Sequence, residues 1–70
     1  MESIKLKSSH RIVIYATDVA NITGQTERSG RRLLKKIRMA LNKGDHAFVT
    51  VVEFCNYCGI EQEVVIEFLK

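Results

Sequence analysis

Residues 15–35 lie over residues 50–70 at a constant offset of 35 with no gap, and this internal match constrains the fold more than any other feature of the chain. Asn21/Asn56, Gly24/Gly59, Leu34/Leu69 and Lys35/Lys70 are identical pairs. Asp18/Glu53, Val19/Phe54 and Leu33/Phe68 keep their chemical character. Each copy reads as a short helix, a glycine turn and a second helix. The copies differ in charge. The second helix of the first unit carries Arg28, Arg31, Arg32, Lys35, Lys36 and Arg38 against Glu27, whereas the second unit carries Glu53, Glu61, Glu63 and Glu67 against the terminal Lys70. One copy is built for a polyanion and the other is not.

A chain of 70 residues makes one domain. At this size it buries only roughly 60% of its unfolded surface, so its core is marginal and dimerisation is an accessible source of stability. With 46% hydrophobic and 27% charged residues it is globular rather than disordered. The net charge of +3 says less than the opposite signs of the two copies. No apolar run approaches the roughly 20 residues that span a bilayer, and residues 1–11 lack the apolar core of a signal peptide. The expectation is a cytoplasmic protein with no membrane partner. Two cysteines three positions apart fit a reduced compartment.

The domain organisation follows the repeat: residues 1–14 as a basic arm or short strand, 15–42 as a basic helix-turn-helix unit, and 48–70 as an acidic unit of the same kind. In the arm, Ile4 and Leu6 alternate with Lys5 and Lys7, a hint of an edge strand. Residues 11–15 are β-branched and read as a strand leading into a first helix over 16–23. Asp18 sits in its first turn, where a carboxylate complements the helix dipole. Val19 and Ile22 form its inner face, and Gly24 stops it.

Thr26 is an N-cap for a second helix over 27–42. Leu33, Leu34, Ile37, Ala40 and Leu41, with Gly30, form its apolar face, and Arg28, Arg31, Arg32, Lys35, Arg38 and Asn42 its opposite face. The cluster 42–45 ends it. Phe48 and Val49 are extended candidates to pair with residues 12–14. Thr50 and Glu53 form a capping box for a third helix over 51–58, stopped by Gly59. A fourth helix over 61–68 turns Val64, Val65, Phe68 and Leu69 inward. The expected fold is therefore all-α: four helices in two helix-turn-helix-like units sharing one core, with room for one short β pair.

The stretch 18–34 resembles a helix-turn-helix DNA-binding motif. It has a short helix with Ala20 at the close helix contact, a glycine turn, and a longer helix capped by threonine. With an extended entry and no preceding helix, it is most similar to the compact domains of excisionases and mercury-resistance-type regulators. The resemblance covers about a quarter to a third of the chain. It implies that the second helix enters the major groove with its N-terminal residues at base edges. Gln25, Thr26, Arg28, Arg31 and Arg32 are then the base-facing candidates, because Arg suits guanine and Gln adenine. Lys35 and Arg38, further along, are candidates for phosphate contact. The helix N-terminus near Thr26 could hold a phosphate, and Lys5, Lys7 and Arg11 could form an arm on the backbone. Glu27 and Gly30 depart from the pattern: one puts a negative charge near the tip, the other costs about 1 kcal/mol of helix propensity. Gly30 has a reason if it lets two helices approach closely.

Cys55 and Cys58 form a C-x-x-C spacing. With His10 and His46 it admits a zinc reading, but the repeat sets the cysteines opposite Ala20 and Thr23, both small residues at a helix contact. Core packing is the expectation, with no metal and no cofactor. His10 and His46 lie in polar contexts and are expected to face solvent. Tyr15, Tyr57 and the three phenylalanines read as structural, leaving no aromatic stacking surface for RNA. No nucleophile triad or phosphate-cradling glycine loop is present, and an enzyme is not expected.

Two functions of different class remain open. In one, the basic helix binds double-stranded DNA, sequence-directed or general, as a small transcription regulator or mobile-element accessory factor. The acidic unit then completes the core and meets a second copy or a protein partner. In the other, the chain is a protein-interaction or self-association module whose basic helix meets an acidic surface. A plain solvated basic face is the bland alternative to both. Folding of Glu61 and Glu63 back onto the arginines would favour the interaction module.

Overall fold

The computed structural model describes residues 12–69. It is a small, mostly helical domain in the order β1 (Val13–Ile14), α1 (Ala16–Thr23), α2 (Glu27–Ala40), β2 (Val49–Thr50), α3 (Val51–Cys58) and α4 (Gln62–Phe68). The strands form one antiparallel pair in which Val13 faces Thr50 and Ile14 faces Val49. Ile14 and Val49 turn inward, and both are buried. The pair continues one step further through the Val51 N–H, which donates to the Ile12 carbonyl at 2.8 Å.

Both copies start and stop their first helix in the same way. The Asp18 carboxylate accepts the Tyr15 N–H at 2.9 Å, and the Glu53 carboxylate accepts the Thr50 N–H at 3.0 Å. Each thereby satisfies a donor that the helix start leaves open. The Thr50 hydroxyl oxygen returns the favour to the Glu53 N–H at 3.0 Å, completing the capping box. At the other end, Gly24 (φ 72°) and Gly59 (φ 74°) adopt the left-handed conformation, which costs glycine nothing. The next N–H in each copy, of Gln25 and Ile60, reaches back to the carbonyl of Ala20 and Cys55 at 3.1 Å.

The core is shared by both copies. Ile14, Val19, Leu34 and Ile37 from the first pack with Val49, Val51, Phe54, Cys55, Val65 and Leu69 from the second, and Phe54, Ile37 and Val65 are fully enclosed. α2 is the longest element, and it lies closest to α1. An ideal Cβ at Gly30 would stand 2.5 Å from the Ala16 carbonyl oxygen and 3.3 Å from the Val19 Cβ. A close helix contact of the first unit is therefore made by Gly30 against Ala16 and Val19, while Ala20 is half-buried.

Several expected core positions lie elsewhere. α2 ends at Ala40 rather than Asn42, because Asn42 turns left-handed (φ 61°), a conformation its short polar side chain tolerates. The Asn42 and Lys43 N–H groups then close on the carbonyls of Met39 and Arg38 at 3.1 and 2.8 Å, the hydrogen-bond pair that terminates many helices. Ala40 and Leu41 are exposed, since the helix outruns the layer that covers Ile37. On α4, Val65 and Leu69 face inward, while Val64 and Phe68 are 47% and 48% exposed; the seven-residue helix buries a single i, i+4 row. Phe48 is 64% exposed and meets the ring of Tyr15 edge-on at 6.5 Å. Only Phe54 of the three phenylalanines is core.

Candidate nucleic-acid interface

The presentation of α2 begins with its cap. The Thr26 hydroxyl oxygen accepts the Ser29 N–H at 3.1 Å, fixing where the helix begins. Glu27, one residue on, turns toward α1. Its carboxylate accepts the Thr17 hydroxyl at 2.7 Å and lies 3.7 Å from the Arg31 guanidinium. The negative charge near the tip thus holds the two helices of the hairpin together. Gly30, Leu34 and Ile37 face the core, which turns the remaining rows of the helix outward.

On those rows Gln25, Thr26, Arg28, Arg31, Arg32 and Lys35 are all exposed. Arg28, Arg32 and Lys35 have no acidic partner among the described residues; the ion pairs there are Glu27–Arg31 and Lys43–Glu53. Arg31 shares its charge with Glu27, so its interaction with an outside anion competes with an existing one. Both groups are more than half exposed, so that competition is weak. Arg38 stands apart from the open face: it is half-buried, and its Nε is enclosed without a hydrogen-bond partner among the described residues. Lys5, Lys7 and Arg11 lie outside the described residues.

Lys36 and Ser29 belong to this face although neither was a candidate reader. With Gln25, Arg32 and Leu33 they line an open groove of about 250 Å³ along α2. The signal was present in the spacing, since positions 25, 29, 32 and 36 fall in one stripe at 100° per residue. Residues 28–36 consequently offer five cations on one exposed helix surface.

The second unit has no comparable surface. Glu61, Glu63 and Glu67 are exposed on and beside α4, and none pairs with an arginine of α2. Glu53 is tied inward. Its carboxyl is held below the usual carboxylate range by the Thr50 N–H, partial desolvation opposes this, and the Lys43 ammonium at 3.1 Å lowers it further. Lys43 also donates to the Phe48 carbonyl at 2.9 Å, so it pins the connector between the units to α3.

Cys55 is buried and Cys58 half-buried, and both are free thiols. Desolvation pushes both thiols up, and the neighbouring Cys58 and Glu63 push Cys55 further. The raised thiols are correspondingly poor nucleophiles at neutral pH. Cys55 packs in the core, more deeply than its half-buried counterpart Ala20. His46 is exposed; His10 lies outside the described residues. Among the described residues no group of three or more His, Cys, Asp or Glu side chains is placed to hold a metal. No helix there is long and apolar enough to cross a membrane. Nothing matches this chain among protein-family models, curated proteins or solved structures.

Proposed function

We propose that this domain binds double-stranded DNA through the exposed face of α2, as a small regulator or accessory factor. The observation that carries the reading is the cluster Arg28, Arg32, Lys35 and Lys36, exposed together and without acidic partners among the described residues. It sits on the second helix of a hairpin, on the face turned away from the buried Gly30, Leu34 and Ile37. Solvated surface helices usually interleave both signs of charge; from position 28 to position 40 this one carries only positive charge. Gln25, Arg28 and Arg32, nearest the N-terminus, take the base edges, and Lys35 and Lys36 take phosphates.

Fluorescence anisotropy of a labelled duplex across salt concentrations tests the reading. Log-affinity should fall linearly with log salt. Arg28→Ala/Arg32→Ala should leave the slope unchanged and lose affinity on selected sequences, whereas in Lys35→Ala/Lys36→Ala it should drop by about 1.8, since each phosphate contact contributes about 0.9. Between about 50 and 200 mM salt the wild type would then lose roughly tenfold more affinity than the lysine variant. Absence of binding at low salt by the folded protein refutes the proposal.

A further inference from the structure

The strand ladder carries a local two-fold relation between the two units, and its register fixes where the dyad lies. At the offset of 35, Ile14 corresponds to Val49, and these are the residues that face each other across the ladder. Val13 faces Thr50, the counterpart of Tyr15. An antiparallel pair in which a residue faces its own counterpart has its dyad at that point. The helices obey the same relation. α1 and α3 begin and end 35 residues apart, and α2 and α4 begin 35 apart. α1 packs on α4 as α2 packs on α3. Gly30 and Val65 are both buried, as are Leu34 and Leu69. Helix α4 therefore begins at the place in the second unit where α2 begins in the first, although it is 7 residues long against 14 and packs less extensively on its own partner helix.

At two of the corresponding basic positions the charge is inverted, at Arg31 it is lost, and at Lys35 it is kept as Lys70. Glu63 stands where the first unit has Arg28, Glu67 where it has Arg32, Ile66 where it has Arg31, Glu61 where it has Thr26, and Ile60 where it has Gln25. Glu63 and Glu67 are exposed, as their arginine counterparts are, so the fold does not demand the exchange.

Size supplies the reason. A dimeric helix-turn-helix protein sets its two reading helices about 34–36 Å apart, one turn of the duplex. The domain measures 32 × 26 × 20 Å. Two basic faces on one chain would fall short of successive major grooves and would seize two separate duplexes instead. Resting on the DNA reading above, we infer that the domain engages DNA through one of two corresponding helices. Glu63 and Glu67 hold the other off the duplex, and one chain occupies one asymmetric, non-palindromic site.

The test is a titration of the full chain with a short non-palindromic duplex at about 50 mM salt, the stoichiometry read by sedimentation. Wild type should bind one duplex per chain. Glu63→Gln/Glu67→Gln should bind as tightly or tighter, and Glu63→Arg/Glu67→Arg, with an unchanged circular dichroism spectrum, should take up a second duplex. Two duplexes on the wild type, or a tenfold loss in the glutamine variant, would place α4 on DNA and overturn the inference while leaving the DNA reading intact. A folded arginine variant that still takes one duplex overturns it as well, because charge would not be what excludes α4. Failure of the wild type to bind removes the DNA reading itself, and this inference with it.

Discussion

Replacing Gly30 by alanine sets two physical effects against each other. Helix propensity alone predicts a gain of about 1 kcal/mol, because Gly30 lies in the interior of α2 and alanine is the better helix former. Packing predicts the reverse. The new Cβ would sit 2.5 Å from the Ala16 carbonyl oxygen and 3.3 Å from both the Ala16 carbonyl carbon and the Val19 Cβ. Unstrained contact needs about 3.5 Å, so α2 must retreat by about 1 Å. Its obstacle is backbone, which cannot rotate aside. Overpacking of this kind costs about 1–3 kcal/mol, occasionally more. The shift also stretches the 2.7 Å hydrogen bond from Thr17 to Glu27, worth about 0.5–1.5 kcal/mol. The sum is a net destabilisation of about 0.5–3.5 kcal/mol. In a domain of this size each kcal/mol lowers Tm by roughly 4–8 °C. Thermal unfolding followed by circular dichroism would read it directly, with Gly44→Ala as control. Gly44 has open space around its Cβ position and no positive φ, so that substitution should stay within about 0.5 kcal/mol of the wild type. A Gly30→Ala protein that melts higher than the wild type would mean that α1 and α2 do not approach as described.

Three further outcomes follow from the geometry. Gly24→Ala and Gly59→Ala each force a side chain into the left-handed region, and denaturant titrations should show both destabilised by about 1 kcal/mol or more, by similar amounts. The depressed Glu53 pKa makes its stabilisation complete above the unfolded value near about 4.3 and lost as pH falls through the lower folded value. Glu53→Gln should therefore be less stable at neutral pH and show a flatter decline in stability through that acid window; a parallel pair of stability–pH curves would contradict the assignment. Because desolvation raises both thiols, a thiol reagent at pH 8 should modify Cys58 slowly and Cys55 more slowly still, with denaturant releasing both.

The fold was largely legible because its start and stop signals are local. Thr50 with Glu53, Thr26, Gly24 and Gly59 each act within a few residues of themselves, and they set α1 and α3 at the expected bounds. Periodicity did less well where it had to say how wide a buried face is. Val64, Phe68, Ala40 and Leu41 all carry apolar side chains at helical spacing. Whether a neighbour covers them depends on where the opposing layer ends, which no local pattern encodes. Phe48 illustrates the same limit: its aromatic ring reads as core, yet it is exposed beside the two-stranded ribbon and meets Tyr15 edge-on. At the candidate interface the charged residues themselves were legible. The inward turn of Glu27, the withdrawal of Arg38 and the place of Lys36 in the Gln25 stripe were not, because each depends on the rotation of α2 that Gly30 permits.

The shared core gives the chain the character of two subunits that happen to be joined. Each half buries its apolar residues against the other, and the connector around Lys43 serves mainly to keep the partners at high effective concentration. Residues 15–42 carry six cations against Asp18 and Glu27, and residues 48–70 carry four carboxylates against one lysine. Halves of similar architecture are prone to pair with their own kind on another molecule. A pair of like halves would gather charge of one sign on one small domain, and the unlike pairing avoids that repulsion.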